Sequence, residues 1–335
     1  MTGKGPGPLL VRLPNWLGDL VMAWPVLEAA APSGALFLGP EPFRDLVAPR
    51  FPSTPYLAWS RARRHAPAAA IRAARPRAAL LLTESFSSAL LVARAGVPER
   101  IGYAAEWRDF LLTRRVPREG PARSTPRAAE YRALARACGL PVARAEPSLT
   151  ATEDEAARGA ARLAAAGLAA ETPVAVLAPG AAYGPAKQWG AERFAAAGAH
   201  LARRHGAALA VVGSAADRAV AADVAAGAAA AGARVLDLAG KTDLGSLVGI
   251  LTRARAVVSN DSGVMHLAAA LGRPTVAIFG STSPVWTSAS SPRVANLYAG
   301  YPCSPCFRRT CPIGYGCLRS LDADAAASAL DRLIG

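Results

Sequence analysis

Residues 257–274 read VVSNDSGVMHLAAALGRP. Val257 to Ser259 close a short apolar run, Asn260-Asp261 end it, and Ser262-Gly263 open a stretch to Leu271 with helical spacing. A further apolar run, Thr275 to Phe279, follows. Strand, polar turn, helix and strand in succession are the repeating unit of a parallel sheet with crossover helices. The first turn of such a helix presents unpaired N–H groups and a partial positive charge, which suits a diphosphate. Gly263 lets a ligand approach the backbone closely. Asp261 either accepts hydrogen bonds from sugar or ribose hydroxyls or, with Ser262, caps the helix. His266 is either a ligand contact or a core residue.

The same alternation extends outward. In the second half the apolar pattern predicts strands at Val174–Leu177, Ala207–Val212, Val235–Leu238 and Ala256–Ser259, with helices at Glu192–Arg204, Asp217–Ala231 and Asp243–Ala254. In the first half it predicts strands at Pro8–Leu13, Ala35–Leu38 and Ala78–Leu82, and a helix at Ser85–Ala95. The change comes near Thr152-Glu153-Asp154-Glu155, which has the form of a helix N-cap with acidic first-turn residues. We therefore expect two domains, 1–160 and 161–335, and 335 residues are ample for two cores at roughly 100–200 residues per domain. Two doubly wound sheets in tandem predict a ligand cleft at the carboxyl ends of the strands. No fixed-period repeat is visible.

Composition narrows the partners. The chain carries 38 Lys+Arg against 24 Asp+Glu, a net charge of +14. Such a balance favours anionic partners, namely nucleic acid, acidic membrane or phosphorylated substrates, although an Ala/Arg/Gly/Pro-rich composition would also produce it. Basic clusters stand at Arg61, Arg63, Arg64 and at Arg114, Arg115, Arg118, Arg123, Arg127. They either face an acidic acceptor or form solvated surface. The best apolar stretch, Val264–Phe279, is interrupted by His266, Arg273 and Pro274, and Arg12 and Asp19 break the N-terminal one. The expectation is a cytoplasmic protein.

Other segments carry chemistry. Residues 178–189, APGAAYGPAKQW, follow a strand, and Lys187 is the only Lys between Lys4 and Lys241. A compact ammonium in a Gly-rich loop after a strand either aims at phosphate or is ordinary surface. Asp19, in the loop-to-helix passage Asn15–Asp19, is either a general base or a helix cap. Cys303, Cys306, Cys311 and Cys317 put four thiols in 15 residues, a candidate set for structural Zn²⁺ or an iron–sulfur cluster. No GxGxxG follows a strand, no P-loop, GxSxG or HExxH is present, and Asp322-Ala-Asp324 reads as a helix cap rather than a metal loop.

Taken together and in order, PNWLGDLVMAWPVL (14–27), ESFSSALLVARAGVPERIGY (84–103), PGAAYGPAKQW (179–189), GSAAD (213–217) and NDSGVMHLAAALGRPTVAIFGSTSP (260–284) resemble the ADP-heptose:lipopolysaccharide heptosyltransferases, especially the type II group. The tail CSPCFRRTCPIGYGCL (303–318) is similar to that of many type II members. Type I relatives have two Thr at the positions of Ala182 and Tyr183. The resemblance implies an α/β fold of GT-B architecture, with two Rossmann-like domains facing a central cleft. The second domain would carry the Cys-rich loop 303–317 and a final helix expected to return to the first. It implies an inverting glycosyltransferase with ADP-heptose as donor and the heptosyl-Kdo inner core on lipid A as acceptor, with no cofactor required for catalysis. On this resemblance Asp19 is the catalytic base, Lys187, Asp261, Ser262, Gly263 and His266 bind the donor, and Asn15, Ser85, Ser88 and Arg108 are acceptor-side candidates. It places the protein at the cytoplasmic face of the inner membrane, peripheral on an anionic surface, with no nucleic-acid partner. Transfer to the first heptose position, or of another sugar, is the alternative within the family. A non-catalytic nucleotide-sugar-binding relative is the alternative outside it.

Overall fold

The structure, a computed structural model, describes residues 7–60 and 67–335. The basic run Arg61, Arg63, Arg64 lies outside the described residues. The chain divides into two compact units, residues 1–147 and 148–335.

The first unit is built on a six-stranded parallel sheet. Its strands are β1 (Leu9–Arg12), β2 (Ala35–Pro40), β3 (Tyr56–Trp59), β4 (Ala78–Leu81), β5 (Glu99–Tyr103) and β6 (Arg114–Val116). Their order is β3-β2-β1-β4-β5-β6. β1 and β4 are buried at every position, as expected for central strands covered on both faces by helices. Their sequences, LLVR and AALL, are accordingly apolar but for Arg12, which is buried at the end of β1. β6 exposes Arg114 and Arg115 at the edge, and charge on an edge strand discourages further pairing.

The second unit repeats that topology with unrelated residues. β7 (Val174–Ala178), β8 (Ala208–Val211), β9 (Val235–Asp237), β10 (Ala254–Asn260), β11 (Thr275–Phe279) and β12 (Val294–Tyr298) form a parallel sheet in the order β12-β11-β10-β7-β8-β9. Read from β7, both sheets have the Rossmann order. Each therefore has a switch point, next to β1 and β4 in one unit and next to β7 and β10 in the other.

One expectation about organisation changes. The division falls after Pro147, not near residue 160, and helix Glu153–Ala165 packs against helix Leu244–Arg253 of the second unit. Gly159 and Gly249 let this helix meet helix Leu244–Arg253 backbone to backbone; a Cβ on Gly249 would lie 1.9 Å from the Glu155 carbonyl oxygen. The Thr152–Glu155 capping box starts the helix as its sequence suggests. The final helix, Ala323–Ile334, packs on the core of the second unit. Ala326, Ala329 and Leu330 are buried in that unit's core, and Asp331 meets His200 and His205 at 3.1 and 3.0 Å. Asp322 caps it, accepting the Ala325 N–H at 2.7 Å.

Candidate functional site

In the first unit, Asp19 follows β1 and Glu84 follows β4, so both lie at the carboxyl ends of the strands flanking the switch point. Asp19 sits within the first turn of helix Leu17–Met22, but the cap position belongs to Trp16, which makes no side-chain cap bond. The carboxylate does different work. Its Oδ1 accepts the Tyr131 hydroxyl at 2.8 Å and lies 3.5 Å from Arg127 Nε. Asp19 stays one-quarter exposed, at 26%, so a substrate can reach it. Tyr131 and Arg127 belong to helix Arg127–Ala137 and are buried. Burial, followed by the Asp19 charge, pushes the Tyr131 phenol well above its ordinary pKa, so it stays protonated and donates.

Behind Asp19, Arg127 and Arg118 are both paired with Glu84 and Glu130 at 2.5–2.8 Å. Of the basic cluster, Arg127 is therefore buried and Arg118 half-buried in ion pairs, whereas Arg114, Arg115 and Arg123 are exposed. The sequence reading missed Tyr131, Glu84 and Glu130. The only available signal was a carboxylate directly after a buried strand, at Glu84, and it has no local pattern to distinguish it from a helix-start acid.

In the second unit, Lys187 follows β7 and Asp261 follows β10, again at the switch point. Lys187 Nζ lies 2.6 Å from Asp261 Oδ2, with only 12% and 4% of the two side chains exposed. Thr282 and Thr287 hydroxyls donate to the same oxygen at 2.6 and 3.2 Å. Asp261 is thus not a helix cap. It anchors Lys187, whose ammonium also lies 4.9 Å from the centre of the Tyr183 ring. Ser262 occupies the N-cap position of helix Gly263–Ala270, yet its hydroxyl meets Ser259 at 3.0 Å instead of capping. His266 is buried in that helix. Asn260 joins the two loops: its Nδ2 donates to the Pro179 carbonyl at 2.6 Å and its Oδ1 accepts the Trp189 N–H at 3.1 Å.

The Cys-rich segment braces this loop. Tyr183 donates its hydroxyl to the Phe307 carbonyl, Ala186 donates its N–H to the Arg309 carbonyl at 3.1 Å, and Arg309 Nε donates to the Tyr183 carbonyl at 2.7 Å. Gly184 (φ +143°) is required here, since a Cβ would lie 2.6 Å from the Arg309 oxygen. Among the described residues, no group of three or more His, Cys, Asp or Glu side chains is placed to hold a metal ion. The metal expected at Cys303, Cys306, Cys311 and Cys317 is therefore unsupported. The thiols occupy different environments, exposed at Cys303 and buried at Cys317, and Cys311 Sγ accepts the Tyr315 N–H at 3.3 Å.

The acceptor-side candidates divide. Asn15 is exposed, with its Oδ1 accepting from Arg12 at 2.6 Å. Ser85 is half-buried and bonds the buried Ser88 at 2.7 Å. Arg108 is a correction. It is fully buried, and its guanidinium donates to the carbonyls of Thr83 (2.6 Å) and Tyr103 (2.7 and 3.1 Å). Burial lowers its pKa to about 10. It holds the loops after β4 and β5 together rather than facing a ligand.

Residues 64–315 match the model for glycosyltransferase family 9 (heptosyltransferase). The chain is 32% identical over 317 residues to lipopolysaccharide heptosyltransferase 2 of Escherichia coli K12, covering 88% of this chain and 89% of that one. It is similar to the solved structure of E. coli ADP-heptose LPS heptosyltransferase II, with a TM-score of 0.76, 28% identity and 98% of each chain covered. A family 9 glycosyltransferase structure from Veillonella parvula aligns with a TM-score of 0.81 at 18% identity, over 98% of this chain and 97% of that one, a likeness of fold.

Proposed function

The chain belongs to glycosyltransferase family 9, the heptosyltransferases, and from that premise we propose that it transfers L-glycero-D-manno-heptose from ADP-heptose to the heptosyl-Kdo inner core of lipid A, as a type II enzyme. The observation that carries this reading is the Lys187–Asp261 pair at the switch point of the second sheet, beside the start of helix Gly263–Ala270. A cation held at 2.6 Å by a buried carboxylate, next to first-turn amides that no side chain caps, suits a nucleotide diphosphate. Tyr183, in place of the type I Thr, supports the type II assignment by packing against Lys187.

The reaction is a single displacement with inversion. The acceptor hydroxyl attacks the anomeric carbon from the face opposite ADP. As the new C–O bond forms, the bond from that carbon to the phosphate oxygen breaks and ADP leaves with the electron pair. The hydroxyl proton passes to Asp19, a contribution of about 10²–10⁴-fold for general bases. Lys187 and the helix amides stabilise the charge growing on the diphosphate, so the step draws on no metal ion. Ser262, Gly263 and His266 belong to the donor segment, with His266 acting through packing.

The acceptor is an anionic glycolipid, so the reading includes peripheral binding to the acidic inner face of the inner membrane. Exposed Trp107 and Phe110, with Phe86 in ring contact with Phe110 at 6.1 Å, supply interfacial aromatics, and Arg114 and Arg115 supply positive charge.

The test is a transfer assay with purified ADP-heptose and truncated acceptors, with products read by mass. Transfer to heptosyl-Kdo-lipid A supports the type II reading, and transfer to Kdo-lipid A alone moves the enzyme to the first heptose. Binding of ADP-heptose with no transfer to either acceptor would leave a non-catalytic relative.

A further inference from the structure

Two guanidinium groups and two carboxylates beside Asp19 close into a ring. Arg118 pairs with Glu84 at 2.5 Å and Glu130 at 2.8 Å. Arg127 pairs with Glu84 at 2.5 Å and Glu130 at 2.7 Å. Each carboxylate gives one oxygen to each arginine, so the four formal charges cancel. Glu84 comes from the loop after β4, Arg118 from the loop after β6, and Arg127 and Glu130 from helix Arg127–Ala137. The ring therefore ties together segments far apart in sequence at one end of the sheet.

The groups facing Asp19 from that helix are Tyr131 and Arg127. The single hydrogen on Arg127 Nε is directed at the Tyr131 oxygen at 3.1 Å, so its 3.5 Å approach to Asp19 is one of charge and not a short hydrogen bond. An unshared guanidinium that close would lower a carboxylate's pKa by about 1–3 units. A base so weakened removes a hydroxyl proton poorly. Here the guanidinium is already claimed twice.

We propose that Tyr131 and the Arg118–Glu84–Arg127–Glu130 ring are positioning residues for Asp19. Tyr131 fixes Oδ1 and accepts the Arg127 Nε hydrogen, leaving Oδ2 to take the proton, while the two glutamates hold Arg127 Nη1 and offset its charge. This rests on Asp19 being the general base. The ionisation of the ring agrees. Burial pushes the Glu84 carboxyl up, and Arg127 and Arg118 more than offset it, so Glu84 ends below its ordinary value and stays charged.

The experiment records kcat/KM against pH for the parent enzyme, Tyr131→Phe and Glu84→Gln, with ADP-heptose and a truncated heptosyl-Kdo acceptor. Both variants should move the acidic limb down, for different reasons. Tyr131→Phe removes the acceptor of the Arg127 Nε hydrogen, which can then turn to Asp19, so the limb should shift down, with kcat about tenfold lower from lost orientation. Glu84→Gln removes a negative charge that offsets Arg127, so the limb should shift down by about one unit and the plateau should fall. Glu84→Asp should restore the limb in part. KM for ADP-heptose should hold in all three.

Limbs that stay put or move up while Asp19→Asn abolishes transfer would reduce the ring to a structural element. Full turnover by Asp19→Asn would instead remove the base assignment, and this proposal with it. If Glu84→Gln does not fold by circular dichroism, Tyr131→Phe decides alone, since it deletes one hydroxyl: a downward shift sustains the proposal and a limb that is unmoved or moves up overturns it.

Discussion

Replacing Lys187 by Met leaves the Asp261 carboxylate 4% exposed, with two hydroxyl donors and no cation. Breaking a buried ion pair from one side costs about 3–5 kcal/mol, because the remaining charge is desolvated without compensation. The 12% exposure of Lys187 gives water some access, which places the expectation at the lower end, about 3 kcal/mol. For a unit of this size that corresponds to a fall of roughly 6–12 °C in Tm. Adding Asp261→Asn removes the stranded charge, and the Asn carbonyl can still accept from Thr282 or Thr287. The double variant should therefore return to within about 1 kcal/mol of the parent. Donor affinity should not return. A charged hydrogen bond to phosphate contributes about 1.5–3 kcal/mol, so ADP-heptose should bind about 10–100-fold more weakly to both the single and the double variant. Scanning calorimetry measures the first effect and titration calorimetry with ADP-heptose the second. A Lys187→Met protein as stable as the parent would refute the buried-pair argument. A double variant with parental donor affinity would refute the placement of the diphosphate at Lys187.

Further outcomes follow from other parts of the structure. Trp107→Ala combined with Phe110→Ala should cut co-sedimentation with anionic vesicles at low salt without changing the melting temperature, since both side chains are exposed; equal binding would count against this surface. Gly249→Ala should destabilise the second unit by about 1–3 kcal/mol, because the added methyl would meet the Glu155 backbone, and urea unfolding would register this. Among the thiols, burial raises Cys138 to about 11, whereas backbone N–H donors led by Tyr315 lower Cys311. Alkylation followed by mass spectrometry should therefore label Cys311 in the native protein and Cys138 only after unfolding. Glu84 has a depressed folded pKa, so its stabilisation is present above its unfolded value and is lost as pH falls through the folded one. Acid unfolding of the parent should begin at higher pH than that of Glu84→Gln, once both are referred to their neutral-pH stability.

The central strands could be read from sequence because a parallel strand covered on both faces is a near-continuous apolar run: β4, β7 and β8 match this pattern throughout, and β1 and β11 match it apart from the terminal Arg12 and Thr275. Of the edge strands, β9 could be read, as Val235–Leu238, but β3, β6 and β12 could not. RRV at β6 looked like a charge cluster, because an edge strand gains its identity from the neighbour it pairs with. Helix starts with a cap signature, at Thr152 and Asp322, were legible for the opposite reason: the capping bond spans only three residues. Lys187 and Asp261 were singled out by the oddity of one Lys among arginines and by an acid at a strand end. Their direct pairing, over 74 residues of chain, was not foreseen.

What the sequence by itself determined is local: hydrophobic period, turn chemistry and caps, together with an order of segments similar to that of a known family. These interactions act between near neighbours, so composition and spacing record them. What only the tertiary structure decided is which charges meet. Arg118 and Arg127 turned inward to Glu84 and Glu130, Arg108 became a buried brace, and the last helix joined the second core. A charged side chain has the same local signature whether it faces water or a partner, and the energetic difference arises only when folding removes the water around it.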